Sequence, residues 1–131
     1  MAQKYAYAIF ALLAVAVIAG CTSTTGEVVE NSGSVKEFSM DSFYVMENGK
    51  PHPQFSLNNI EVSKGDTVII HVNTTNGSHN FNIDEFGVSE ETPTGNVTTI
   101  QFVAGQSGEF IYYCAKPGHR ANGHWGTLKV N

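Results

Sequence analysis

The sequence predicts an all-β fold, an antiparallel sandwich or barrel, in a single domain. Three observations carry this expectation. No segment sustains an apolar period near 3.6 residues, so no amphipathic helix is expected. Short runs instead alternate apolar and polar residues, the pattern of half-buried strands. Gly, Asn, Asp and Pro fall between those runs and supply the turns.

Residues 37–46 form the first expected strand, with Phe38, Met40, Ser42 and Tyr44 on one face. Asn48, Gly49, Lys50 and Pro51 read as a turn. Residues 55–62 are extended. Lys64-Gly65-Asp66 turns tightly into residues 67–73, where Val68, Ile70 and Val72 share a face and His71 points the other way with Ile69. Asn76-Gly77-Ser78 is another turn, followed by residues 80–83 with Phe81 and Ile83 alternating. Residues 85–95 are the least patterned stretch and suit a turn or short helix. Residues 98–103 and 109–113 are two more strands, and residues 126–130 close the chain. Phe38, Phe81, Phe102, Phe110 and Tyr112 fall at core positions of these strands.

The N-terminus reads as a processing signal. Lys4 precedes an uncharged apolar run over residues 5–19, which is shorter than the roughly 20 residues a spanning helix needs. Ile18-Ala19-Gly20-Cys21 then resembles a lipobox, so residues 1–20 are expected to be a signal peptide, with an uncleaved anchor as the competing reading. Residues 21–34, rich in Thr, Ser, Gly and Glu, suit a flexible tether, and residues 35–131 the domain. The expected location is the outer face of the cytoplasmic membrane, after export.

The chain carries 7 Lys and Arg against 12 Asp and Glu. With no basic stripe, a nucleic-acid partner is excluded. Lys116 and Arg120 nevertheless sit close together, either as solvated loop charges or as a patch for an acidic partner or small anions. Asn73, Asn76 and Asn96 each begin a glycosylation sequon, which matters only where exported proteins are glycosylated.

The chemistry concentrates near the C-terminus. Cys114 is followed by His119 and His124, and His79 lies upstream. If Cys21 is lipidated, Cys114 is the one thiol left, in a compartment where unpaired thiols are oxidised. A metal would protect it. One thiolate with two or three imidazoles suits copper, one ion per chain, because the set tolerates both Cu(I) and Cu(II). A buried structural Cys is the competing reading. A Cys–His nucleophile would leave His79 without a role, and zinc in a Cys–His₃ set is a further option. Storage or delivery of copper is disfavoured, because the loop is not rich in Met or Cys. His52, between Pro51 and Pro53, and His71 are not assigned to the metal, and neither are Met40 and Met46.

His79-Asn80-Phe81, the Phe110-Ile111-Tyr112-Tyr113-Cys114 run, Pro117-Gly118-His119 and the closing Gly126-Thr127-Leu128-Lys129-Val130 together resemble the cupredoxin family. The Cys114-to-His119 step is similar to rusticyanin-like members, where the next ligand is Met and this chain has His124. Residues 81–88 resemble nitrosocyanin-like members, which have a carboxylate ligand where His79 stands. The resemblance implies a Greek-key β-sandwich with copper at one end, held by His79, Cys114 and His119. It implies that Asn80 ties the ligand loops together, with an ordinary strand-start residue as the competing reading, and that His119 offers the route for electrons.

Two functions follow. The first is a membrane-tethered carrier of single electrons through a His₂Cys copper site, with redox proteins and the membrane surface as partners. The second is a copper-dependent redox enzyme acting on a small nitrogen oxide, for instance oxidising nitric oxide to nitrite. His124 separates them. Turned inward, it is a strong fourth donor that favours Cu(II). Turned outward, it leaves that position open, and the crowding of Trp125 with three imidazoles on one face favours this arrangement. Trp125 itself is expected either to shield the metal or to pack in the core.

Overall fold

The computed structural model describes residues 33–131. The expected signal peptide, Cys21 and the tether through residue 32 lie outside the described residues. Among the described residues, nine strands build a Greek-key β-sandwich: β1 Val35–Glu47, β2 Lys50–Phe55, β3 Asn59–Val62, β4 Thr67–Thr74, β5 His79–Ile83, β6 Val88–Thr92, β7 Val97–Val103, β8 Gly108–Tyr113 and β9 Trp125–Val130. One sheet has the order β2-β1-β4-β7 and the other β3-β9-β8-β5-β6. Among the described residues no helix is long and apolar enough to cross a membrane.

The alternation seen in sequence is the core. Val68, Ile70 and Val72 of β4 are fully buried, and so are Phe81 and Ile83 of β5, Tyr112 of β8 and Leu128 of β9. Phe102 is buried as expected, while Phe38 and Phe110 pack against the core only partly buried. His71 faces out, between Glu37 and Thr99. Burying one such side chain contributes about 1.5–3 kcal/mol.

Four features depart from the sequence expectation. First, the sandwich is not wholly antiparallel: β1 pairs with β4 and β3 with β9 in parallel. The chain changes sheet after β2 and again after β3, so β4 returns beside β1 in the same sense. Local alternation does not encode such crossovers. Second, residues 55–62 are two strands, because residues 56–58 carry the chain between sheets. Third, the turn after β1 is only Asn48-Gly49, with φ of 51° and 75°, the signature of a two-residue hairpin turn. Lys50, Pro51 and His52 already belong to β2, an edge strand that tolerates proline. Fourth, residues 85–95 begin in a 3₁₀ turn, Asp84–Phe86, as the sequence suggests, but also hold the strand β6. β6 is an edge strand in which only Thr92 is buried, so it shows no apolar alternation.

The two sheets meet on an aromatic centre. Phe81 and Tyr112 stack at 5.3 Å, and Phe55 meets their rings at 5.6 and 5.7 Å. The Tyr112 hydroxyl donates to the Leu57 carbonyl at 2.5 Å, in the segment linking β2 to β3. Burial pushes its phenol far above the usual range, so it stays a donor. Gly126 lies under this ring, where an added Cβ would stand 2.3 Å from the Tyr112 hydroxyl and Cζ. Because Gly126 faces inward, its neighbour Trp125 faces outward and is 45% exposed. Trp125 is therefore not a core residue.

Gly126→Ala should destabilise the domain by about 1–3 kcal/mol, because it overpacks a fixed ring. Gly105→Ala, with nothing within 4 Å of the new Cβ, should be near neutral. Chemical denaturation of both variants checks this, and equal midpoints would refute the packing account.

Candidate metal centre

The site lies at one end of the sandwich, where two loops come together. β4 ends at Thr74 and, after a short turn, β5 begins with His79. β8 ends at Tyr113, Cys114 follows, and residues 114–124 return the chain to β9. The Cys114 N–H donates to the His124 carbonyl at 3.0 Å, which extends the β8–β9 pairing by one step and closes the loop. Inside it, the His124 N–H donates to the His119 carbonyl at 3.0 Å. The Asn122 side chain donates to the Gly118 carbonyl at 2.8 Å. Gly123 takes φ 98° after the 3₁₀ turn Arg120–Asn122, a left-handed reversal that suits glycine and sends His124 inward.

His79, Cys114, His119 and His124 each offer one ligand atom, and these atoms lie within 4.8 Å of one another. His119 Nδ1 is 3.3 Å from His79 Nδ1, 3.3 Å from Cys114 Sγ and 3.5 Å from His124 Nδ1. His79, Cys114 and His124 are buried, and His119 is half-buried.

The far edges of two rings are held. His79 Nε2 lies 2.9 Å from the Asn76 carbonyl, which can only accept, so Nε2 carries the proton and Nδ1 presents a lone pair. His124 Nε2 lies 3.1 Å from the buried Ser42 hydroxyl of β1, and its ring packs 4.1 Å from Phe55. Asn80 joins the two loops. Its Oδ1 accepts from the Ala115 N–H at 2.7 Å and from Asn82 Nδ2 at 3.0 Å, and its own N–H donates to Cys114 Sγ at 3.4 Å. Such outer partners orient a ligand set before any ion arrives.

The electrostatics suit a cation. Burial pushes His124 down to about 3, with His79 and His119 adding to the effect. Burial also lowers His79, against the pull of the Asn76 carbonyl, and lowers His119, with Lys116 contributing. All three imidazoles are thus neutral donors at neutral pH. Burial raises the Cys114 thiol, opposed by the backbone N–H groups of Asn80 and Lys116, so the thiol loses its proton when a metal takes its place. A thiolate with three imidazoles, held in a closed set, fits copper.

The arrangement that leaves the fourth position open is not the one observed. His124 is fully buried with Nδ1 among the donors, because the Gly123 reversal and the Ser42 and Phe55 contacts hold it there. Lys116 is paired with both oxygens of Glu91, at 2.8 and 3.0 Å, and the Arg120 guanidinium lies 4.3 Å above the Tyr113 ring. Both cations are thus engaged within the protein. They border a groove of about 700 Å³ that runs past Cys114 and Trp125. Sequence reasoning missed Ser42 and Asn76. A Ser on the inward parity of β1 was the available signal for the first, and nothing marked the Asn76 carbonyl.

Without metal, the buried neutral imidazoles make stability depend on pH. A folded-state value of about 3 against 6.5 unfolded for His124 leaves its contribution intact above pH 6.5. It is lost progressively between pH 6.5 and 3, by up to about 1.4 kcal/mol per pH unit. The slope should be shallower in His124→Met, and equal slopes in urea titrations would contradict the burial. Asn80→Ala removes the acceptor for the Ala115 N–H, and should weaken copper binding about 10–100-fold by competition with a chelator.

A family model described as a cupredoxin-like domain matches residues 11–125. A search of curated proteins finds no match. Among solved structures, a copper nitrite reductase from Nitrosomonas europaea superposes with a TM-score of 0.63 at 20% identity, over 75% of this chain and 42% of that one. A blue copper oxidase from the same organism gives 0.61 at 22% identity, over 75% of this chain and 39% of that one. A reduced auracyanin from Roseiflexus castenholzii gives 0.58 at 19% identity, over 76% of this chain and 99% of that one. The chain thus spans less than half of the two enzymes and nearly all of the auracyanin. The chain belongs to the cupredoxin-like family, and the group at His79, Cys114, His119 and His124 fits its one copper ion.

Proposed function

We propose that this protein is an exported, membrane-tethered carrier of single electrons, with copper held by His79, Cys114, His119 and His124. The observation that carries the reading is the convergence of three Nδ1 atoms and one Sγ, with His79, His124 and Cys114 already held by Asn76, Ser42 and Asn80. Copper held in such a set would supply a one-electron Cu(I)/Cu(II) couple.

The residues supply the rest. The Asn76 carbonyl and the Ser42 hydroxyl stop two imidazoles from turning when charge changes. The Asn80 N–H offsets negative charge on the thiolate. Phe55, backed by Phe81 and Tyr112, forms an apolar floor under His124. His119, the half-buried member, gives the shortest way to the surface and to a redox partner. The auracyanin likeness, over nearly the whole of that chain, supports the fold on which this reading rests.

The enzymatic reading requires a free ligand position. Burial of His124 within the donor set removes the observation that favoured it, so the geometry supports the carrier over turnover of a nitrogen oxide. Titration with azide or nitric oxide should leave the visible spectrum of the oxidised protein unchanged. Export and tethering rest on Lys4, the uncharged run over residues 5–19 and the sequence leading into Cys21. Mass spectrometry of the native protein should find a lipid on Cys21 as the new N-terminus.

The copper-loaded protein should show a strong thiolate-to-copper band and a reversible one-electron wave, and Cys114→Ser should lose the band while keeping the β fold. Replacing a strong nitrogen donor by a weak thioether in His124→Met should favour Cu(I) at least tenfold, raising the potential by about 59 mV or more. A coloured Cys114→Ser protein or an unmoved potential would defeat the assignment.

A further inference from the structure

The four donors are closed off on most sides, so copper needs a way in. One opening touches two of them. It is a cavity of about 450 Å³ bordered by His79 and His119, with Tyr44, Met46, Pro51 and Pro53 along one side. That side is the β1–β2 hairpin, where Tyr44 pairs with Pro53 and Met46 with Pro51. The inward row of β1 runs Met40, Ser42, Tyr44, Met46. Met40 is in the core, Ser42 meets His124, and Met46, where β1 pairs with β2 alone, is 61% exposed. At about 3.3 Å per residue, Met46 lies roughly 13 Å along the strand from Ser42.

The chemistry of that side is uneven. The proline side chains have no donor for a metal, and that of Tyr44 offers only a phenol. Met46 has a soft thioether, which selects Cu(I) over hydrated divalent ions. On surface grounds an exposed Met is unremarkable, but this one shares the mouth with the only half-exposed ligand, His119.

We propose that Met46 is a landing ligand for Cu(I), through which the apoprotein is loaded. This rests on the copper reading above. Met46 takes Cu(I) from the donor by ligand exchange, and His119 and Cys114 then take it over. Copper remains Cu(I) throughout, and the Cys114 thiol releases its proton to water.

The test follows transfer of Cu(I) from its bicinchoninate complex to the full-length apoprotein, by loss of the chelator colour. Met46→Leu keeps the apolar volume and lacks the sulfur. It should load about tenfold more slowly, the scale of losing one supporting ligand, while final occupancy and the oxidised spectrum stay those of wild type. In parallel, Ag(I) added to methyl-labelled Cys114→Ser protein should shift the Met46 methyl signal and leave that of buried Met40 in place. Equal loading rates, or an unshifted Met46 signal, would overturn the landing role and leave the copper site standing. A wild-type protein that takes up no Cu(I) would overturn both.

Discussion

A buried imidazole must satisfy both ring nitrogens, and this requirement organises one end of the sandwich. His79 and His124 each spend Nε2 on the protein, on the Asn76 carbonyl and the Ser42 hydroxyl. Their Nδ1 atoms then meet His119 Nδ1 at 3.3 and 3.5 Å, with the Cys114 sulfur beside them. One shared proton can serve two such nitrogens, not three. A single cation serves all of them and the thiolate as well. Polar satisfaction in the core is therefore reached most completely with a metal bound.

The same contacts hold the fold. The ring of Phe55 packs on His124 on one side and on Phe81 and Tyr112 on the other, so the floor of the site is the centre of the hydrophobic core. Tyr112 reaches across to Leu57 and rests on Gly126, which turns Trp125 outward. Distortion of the core would thus reach the ligands within one layer of side chains. A carrier benefits from that coupling, because a rigid set resists rearrangement when the ion changes charge.

Much of this was legible in the chain. The period of β4 and the turn signals around it announced the strands, and the order His79, Cys114, His119 marked residues that the structure brings together with His124. Asn80 was readable only through resemblance, and its bond to the Ala115 N–H bears that expectation out. What stayed hidden depends on long-range placement. The parallel pairing of β1 with β4 arises from two changes of sheet. The strand β6 lies at an edge and lacks an apolar face. The inward turn of His124 depends on Gly123, on Ser42 from a strand 82 residues away, and on Phe55. The outward turn of Trp125 depends on a glycine whose neighbour across the sheet is a large ring.

The central claim is that one thiolate and three imidazoles hold the same ion in both oxidation states. Copper-edge X-ray absorption of the oxidised and reduced protein measures this directly. The account predicts one sulfur and three imidazole nitrogens around copper before and after reduction. A coordination shell without sulfur, or the loss of an imidazole on reduction, would contradict it.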